Sequence, residues 1–193
     1  MEDARIAAEG KEYALRAVEL GVDDAFALSR AALFFGSLLR DVGTADAIVD
    51  QAIAINPNLS DARRVRGWIS LWLGQHEQAL EQFQYAMRLN PLDPRNYAAE
   101  NGLAMANFFL HRFEIALSWA TKSMARQKNY AVPVRFAAAS YAMLGRIADA
   151  NALGAQVRAS GFTISLFKKR NPFKRQEDVD LLTEAYRRAG VPE

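Results

Sequence analysis

The sequence predicts an all-α fold, an α-solenoid in which antiparallel helix pairs stack in series and a capping segment closes the C-terminus. Two phrases repeat, because residues 52–57 (AIAINP) resemble residues 86–91 (AMRLNP) and their prolines are 91 − 57 = 34 residues apart. Small residues recur in step, since Ala45 and Ala79 are 79 − 45 = 34 residues apart. No segment alternates apolar and polar residues with the period of two that is typical of a strand.

Glycine, proline and short polar residues mark where the helices begin and end. Gly74 and Gly145 interrupt apolar-periodic runs, so each separates the two helices of a pair. Ser60 precedes such a run and is an expected N-cap. Asp93 and Pro94 together predict a helix start, with an acidic cap and proline at the first helical position. We therefore expect helices near residues 2–20, 24–40, 44–55, 60–73, 76–89, 94–110, 112–127, 131–144, 147–160 and 176–189, with a short turn or helix at 163–169.

The residues at repeat positions resemble the tetratricopeptide pattern, whose unit is a 34-residue helix pair. The matching positions are Gly67, Trp68, Leu73, Gly74, Ala79, Phe83, Ala86 and Pro91. More specific phrases are residues 85–94 (YAMRLNPLDP), 116–120 (ALSWA) and 171–175 (NPFKR), with 189–193 (AGVPE) at the end. Together they resemble the C-terminal region of bacterial proteins in which tetratricopeptide repeats follow a class III adenylate/guanylate cyclase domain. Similar repeats also follow winged-helix DNA-binding domains in bacterial transcription regulators.

The resemblance implies a non-catalytic protein-interaction, scaffolding and regulatory module from the C-terminal part of a larger cyclase-like signalling protein. The alternative is the sensor or effector domain of a bacterial transcription regulator. Cyclase chemistry would lie upstream of Met1, so we expect no enzyme activity in this chain. Residues 2–20 look like the second helix of a pair whose first helix is missing, which suggests a fragment. We expect about four helix pairs over 1–160, the first incomplete, and a packed C-terminal extension with a capping helix over 161–193.

Composition excludes several functions. The chain has 193 residues, no cysteine and a net charge of +2, so disulfides, thiolate metal sites and cysteine nucleophiles are excluded and nucleic-acid binding is disfavoured. The cysteine count fits a cytoplasmic protein. The most apolar stretch, residues 31–39, is far shorter than the roughly 20 residues of a membrane span. His76 and His111 fall at turns and lack zinc-ligand spacing, so neither a metal nor a cofactor is expected.

Aligning the repeats brings one polar position into register. With offsets of 34 and 37 residues, Arg30, Arg64, Asn101 and Arg135 occupy the same place on the first helix of their pairs. In tetratricopeptide stacks this face lines a concave groove. The predicted groove residues are Arg30, Phe34, Arg64, Trp68, Trp72, Asn101, Met105, Phe109 and Arg135.

This groove predicts a protein or peptide partner. Arginine binds carboxylates bidentately and aromatic surfaces receive apolar anchors, so an acidic peptide is the specific hypothesis. The alternative is that the arginines are solvated and the aromatics belong to the core. Two further alternatives concern self-contact: the segment 162–175 fills the groove or caps the last pair, and an exposed apolar helix face mediates a homodimer.

Overall fold

The computed structural model describes the backbone of residues 2–193 and the side chains from residue 8 onward. Within these residues the secondary structure is entirely helical, which confirms the all-α prediction. The helices are α1 (Glu2–Leu20), α2 (Ala25–Ser37), α3 (Val42–Ile55), α4 (Ser60–Trp72), α5 (His76–Leu89), α6 (Asn96–Phe109), α7 (Phe113–Arg126), α8 (Val132–Met143), α9 (Ile147–Ala159), α10 (Ile164–Arg170) and α11 (Gln176–Arg188).

Short polar side chains define several helix starts. The Asp24 carboxylate accepts hydrogen bonds from the backbone N–H groups of Phe26 and Ala27 at 2.9 and 3.0 Å, so α2 begins at the next residue. Asp41 accepts in the same way from the N–H of Thr44 and caps α3. Thr163 caps the short helix α10. Each carboxylate or hydroxyl satisfies amides that have no acceptor within the helix itself.

Three local predictions were wrong. Ser60 is the first residue of α4, whose N-cap Leu59 makes no side-chain hydrogen bond. Helix α6 begins at Asn96 rather than at residue 94, because the Asp93 carboxylate accepts the N–H of Arg95 at 2.8 Å and holds a turn there. His76, expected at the surface or in a turn, opens α5 and is only 4% exposed.

The turns inside the helix pairs share one backbone conformation. Gly74 and Gly145 have φ of 82° and 74°, in the left-handed region that favours glycine. The repeat offsets place Arg40 and His111 at the same position (74 − 34 = 40 and 74 + 37 = 111), and these residues also have positive φ, 58° and 59°. At Gly74 the N–H of the next residue bonds back to the carbonyl of Ser70 at 2.8 Å. The helices therefore end in one way whether or not glycine is present.

The chain forms two compact units, Met1–Pro91 and Leu92–Glu193. In the first unit, α2 packs against α3, α4 packs against α5, and α2 also contacts α4 and α1. Gly67 allows α4 to approach α5 closely, because a Cβ there would lie 2.8 Å from the buried ring of Phe83.

The second unit contains two helix pairs and the C-terminal helices. Helix α6 packs against α7, α8 packs against α9, and α6 also contacts α8. Helix α11 packs mainly against α8 and also contacts α9 and α10. Phe108, fully buried, contacts Phe113 and Phe136 edge-to-face at 5.3 and 5.9 Å and anchors the core. The division into an array over 1–160 and an extension over 161–193 stays a prediction.

Candidate functional site

In the first unit, α2 presents a ridge of large side chains spaced four residues apart. The ridge consists of Phe26, Arg30, Phe34 and Leu38, and we call it the α2 ridge. Residues four apart are neighbours on a helix surface, so these side chains form one continuous row. Phe26 and Leu38 are 48% and 46% exposed, and Phe34 is partly exposed. The Arg30 guanidinium lies over the Phe26 ring at 5.7 Å, so its flat face extends the apolar surface.

The tryptophans of α4 lie in the same unit but differ in accessibility. Trp72 is 6% exposed and its indole packs where a Cβ on Gly36 would collide with it, so glycine is required at that point of α2. Trp68 is partly exposed. Its ring centre lies 6.2 Å from that of Trp72 and 5.1 Å from that of Phe83, which it contacts edge-to-face. Trp68 is therefore the α4 aromatic that borders solvent.

A buried carboxylate joins the two arginines of the first unit. Asp61 is 1% exposed, and its Oδ2 lies 3.2 Å from Nε of Arg30. Its other oxygen forms an ion pair with the guanidinium of Arg64, whose side chain is 5% exposed. The chain itself thus supplies a carboxylate to the arginines for which the sequence predicted an acidic peptide. No acid occupies the position of Asp61 in the next repeat, which has Ala98 there (61 + 37 = 98).

In the second unit, the equivalent polar position is enclosed. Asn101 is fully buried, and its amide donates to the hydroxyl of Tyr130 at 3.5 Å and to the sulfur of Met105 at 3.4 Å. Burial raises the pKa of Tyr130 to about 12, and the neighbouring Tyr97 adds to the increase. The ring of Tyr130 contacts that of Tyr97 edge-to-face at 5.1 Å. This part of the face is a closed polar–aromatic cluster.

The C-terminal segment covers the rest of that face. The ring of Phe173 contacts Phe109 edge-to-face at 5.1 Å, and the guanidinium of Arg135 lies 3.9 Å from the centre of the Phe162 ring. Burial lowers the pKa of Arg135, while nearby Tyr186 and Tyr130 partly offset that effect. Burial also raises the pKa of Tyr186. We call the surface formed by Asn101, Met105, Phe109 and Arg135 the α6–α8 face.

The nine predicted groove residues thus divide between the two units, and each set has a distinct environment. In the first unit Arg30, Phe34 and Trp68 are partly exposed, whereas Arg64 and Trp72 are buried; in the second, Asn101, Met105 and Phe109 are buried and Arg135 is partly exposed.

Phe26 and Leu38 carry the most exposed apolar surface of the α2 ridge. The repeat alignment places Leu38 in register with Trp72 and Phe109 (72 − 34 = 38 and 72 + 37 = 109), although it is not among the nine predicted groove residues. The prediction missed Phe26, which extending the four-residue spacing one step before Arg30 would have identified. The partners of the arginines had no comparable signal, because Asp61 lies outside the aligned positions.

The described residues also limit the class of site. No group of three or more His, Cys, Asp or Glu residues with described side chains is arranged to hold a metal ion. None of the helices in the described part of the chain combines the length and the apolar character that crossing a membrane requires.

No protein-family model matches the chain, and no curated protein matches it. Several solved structures, however, are similar to this chain in fold. A tetratricopeptide repeat protein from Parabacteroides merdae superimposes with a TM-score of 0.65 at 16% identity, covering 95% of this chain and 80% of that chain. PilF of Pseudomonas aeruginosa gives 0.63 at 14% identity, covering 96% and 90%. YrrB, described as a tetratricopeptide protein with an unusual peptide-binding site, gives 0.57 at 17% identity, covering 91% of each chain.

These likenesses confirm the tetratricopeptide-like fold, in which antiparallel helix pairs follow one another along the chain. At such low identities they establish the fold alone. None of them bears on a cyclase-type or winged-helix parent.

Proposed function

We propose that this chain is a non-catalytic protein-interaction and scaffolding module whose α2 ridge binds a peptide segment of a partner. The observation that carries the proposal is the row of side chains along α2 and its C-cap, in which Phe26 and Leu38 are exposed and Arg30 and Phe34 are partly exposed. Apolar side chains exposed together, rather than scattered, are typical of an interaction surface. The partly exposed Trp68 on the adjacent first helix adds the kind of aromatic that dominates binding energy at interfaces.

The chemistry of the first unit favours a partner with apolar or aromatic anchors. Asp61 already forms ion pairs with Arg30 and Arg64, so a carboxylate from a peptide would compete with one that is buried and in place. The face of the Arg30 guanidinium, by contrast, lies in the ridge and is suited to stacking against an aromatic ring. The acidic peptide that the sequence predicts is the competing hypothesis, and salt dependence distinguishes the two.

The test begins with a displayed library of random peptides selected on the chain. Because the sequence has three tryptophans, replacing Trp119 with Phe leaves Trp68 and Trp72, both in the first unit, as fluorescent reporters for titrating selected peptides. We expect the selected peptides to be enriched in aromatic and aliphatic residues and to bind with little dependence on salt. We expect the double change Phe26→Ala and Phe34→Ala to weaken binding at least about tenfold, the effect of losing about 1.4 kcal/mol.

A matched control is available in the same unit. Ile55 is 42% exposed at the end of α3, away from the α2 ridge in sequence, and Ile55→Ala should leave the affinity unchanged. Circular dichroism of every variant confirms that the helices remain. If the selected peptides are rich in acidic residues and their affinity falls steeply as salt is added, the acidic-peptide hypothesis replaces the aromatic one. Binding that is indifferent to the loss of Phe26 and Phe34 would exclude the α2 ridge as the contact surface.

The wider setting of the module is also a proposal. The motif resemblance supports a cyclase-like signalling protein of bacterial origin, with a sensor or effector role in a transcription regulator as the alternative. The absence of cysteine from the sequence supports a cytoplasmic location. The complete reading frame separates these two, since the first requires an upstream cyclase domain and the second an upstream winged-helix domain. A cyclase assay on this chain alone should show no activity; measurable activity would overturn the non-catalytic assignment.

We propose, separately, that α1 mediates a homodimer. Three large side chains on this helix are highly exposed: Tyr13 (72%), Leu15 (45%) and Leu20 (73%). Sedimentation velocity should show a concentration-dependent dimer that is lost on changing Leu15 and Leu20 to Glu. A monomer at all concentrations would exclude this contact.

A further inference from the structure

We propose that the C-terminal segment 162–191 is a ligand bound in cis to the α6–α8 face, and that a partner segment carrying two aromatic anchors exchanges with it. This site lies in the second unit, whereas the function proposed above uses the α2 ridge of the first. Each of the two proposals can therefore be refuted without affecting the other.

The contacts of the segment resemble those of a bound peptide. Two aromatic anchors, Phe162 and Phe173, lie against Arg135 and Phe109, which are two of the four residues of the α6–α8 face. Between the anchors, residues 168–170 are basic and exposed. Phe162 is buried and Phe173 is partly exposed, and Ile164 and Phe167 between them are also buried. Aromatic anchors of this kind are typical of peptide recognition. The segment thus shows which ligand chemistry the α6–α8 face accepts.

Two buried polar atoms at the contact of the segment lack a hydrogen-bond partner within the described residues: Nε of Arg135, whose guanidinium lies against the Phe162 ring, and Oγ1 of Thr183. Thr183 lies on the buried side of α11, which packs against α8. Each buried polar atom without a partner destabilises the seated segment relative to one that is solvated or bonded. A partner peptide that offers a carbonyl or carboxylate to Arg135 would satisfy part of this deficit.

The C-terminal end of the chain is bonded once to α9 and once to the start of the segment itself. The guanidinium of Arg158 donates to the carbonyl of Gly190 at 2.6 Å, and the N–H of Ile164 donates to the carbonyl of Pro192 at 2.8 Å. Gly154 of α9 makes room for the end of α11, because a Cβ at residue 154 would overlap the carbonyl oxygen of Ala189. Gly154→Ala should therefore push the segment away while leaving every residue of the α6–α8 face unchanged.

The first measurement is native-state hydrogen exchange on the full chain. If the segment is exchangeable, the amides of residues 164–188 open together, with protection factors at least tenfold lower than those of α6 to α8. If these amides exchange only when α6 to α9 also unfold, the segment is an integral cap of the second unit and the proposal is overturned.

The second measurement tests the ligand chemistry with a labelled synthetic peptide of residues 160–178, which contains both anchors and ends before Ala189. Fluorescence anisotropy should show Kd at least tenfold lower for the Gly154→Ala chain than for the unchanged chain. A peptide with both Phe162 and Phe173 replaced by Ala should not bind, and Arg135→Ala in the Gly154→Ala chain should abolish binding.

A second variant that weakens the contact of the segment is available in case Gly154→Ala does not fold. Phe173→Ala removes one anchor from the segment and leaves α6 and α8 intact, so it should also increase binding of the peptide if Gly154→Ala fails to fold. A folded, loosened chain that does not bind the peptide shows that the face does not accept aromatic segments and overturns the proposal. Phe26→Ala in the α2 ridge should change none of these results, which keeps failure here distinct from failure of the proposed function.

Discussion

Replacing Asp61 with Ala should destabilise the first unit strongly. The side chains of Asp61 and Arg64 are 2% and 5% exposed, so the change removes one partner of a buried ion pair. The guanidinium of Arg64 stays in the interior after its carboxylate is gone, and such a loss typically costs about 3–5 kcal/mol. Arg30 adds little to this sum, because its side chain is 37% exposed and exposed pairs contribute about 0–1 kcal/mol. We expect a loss of about 3 kcal/mol.

Urea unfolding measures this change. Fluorescence of Trp68 and Trp72 reports on the first unit once Trp119 is replaced by Phe, and linear extrapolation gives the free energy of unfolding. Asp50→Ala is the matched control in the same unit, since the Asp50 side chain is 64% exposed and its Oδ1 lies 3.3 Å from Nη1 of Arg66. That variant should lose no more than about 0.5 kcal/mol.

A compensating change sharpens the result. Removing both charges together, as Asp61→Leu with Arg64→Met, should recover most of the lost stability, because well-packed apolar residues often replace a buried ion pair at little cost. A loss below about 1 kcal/mol for Asp61→Ala would show that the pair is solvated. Equal losses for the single and double variants would show that the effect comes from packing rather than charge.

Three further outcomes follow from local contacts. Gly67→Ala should lower the free energy of unfolding in urea by about 1–3 kcal/mol, because its Cβ would press on the buried ring of Phe83. The control Gly43→Ala, on the exposed side of α3, should be neutral or stabilising. Equal effects of the two changes would refute the close approach of α4 and α5 at Gly67. Above pH 10 the second unit should lose stability as the pH rises to 12, because unfolded tyrosine ionises near pH 10 while folded Tyr130 and Tyr186, whose pKa values burial raises, stay protonated. Tyr130 alone should contribute up to about 2–3 kcal/mol of this loss. Urea unfolding at several pH values should show that Tyr130→Phe removes about that part of the loss, and an unchanged pH profile would contradict it. Ser123→Ala should destabilise the chain by about 1–2 kcal/mol, which lowers the thermal midpoint by a few degrees. The reason is that the buried Ser123 hydroxyl donates to the backbone carbonyl of Tyr97 in α6 at 2.7 Å. A midpoint that calorimetry finds unchanged would exclude that role.

Most of the fold could be predicted from the sequence because helix boundaries depend on nearby residues. Gly74 and Gly145 were sufficient to locate two turns, and both adopt the left-handed conformation that ends a helix. The start of α6 was wrong because the Asp93 side chain can cap a turn as well as a helix, and only the observed bond to Arg95 distinguishes these uses.

The candidate site was less accessible to prediction because its properties depend on contacts between distant residues. The alignment correctly placed Arg30, Arg64 and Arg135 on first helices, but their partners differ. Asp61 neutralises two of them, whereas Phe162 covers the third from 27 residues away along the chain (162 − 135 = 27). Periodicity identifies which side of a helix a residue occupies, and it contains no information about what packs against that side.

The left-handed turns at Arg40 and His111 have a consequence for how this fold tolerates sequence change. Main-chain hydrogen bonds fix the turn, as where the N–H of Arg112 bonds to the carbonyl of Asn107 at 2.9 Å, so the side chain at the turn alters its energy and leaves its geometry in place. Two of the four equivalent positions carry a residue other than glycine, and the helix pair forms there as well. An architecture maintained by its backbone can keep its fold when few residues coincide, and the solved proteins that share this fold have only 14–17% of their residues in common with the chain.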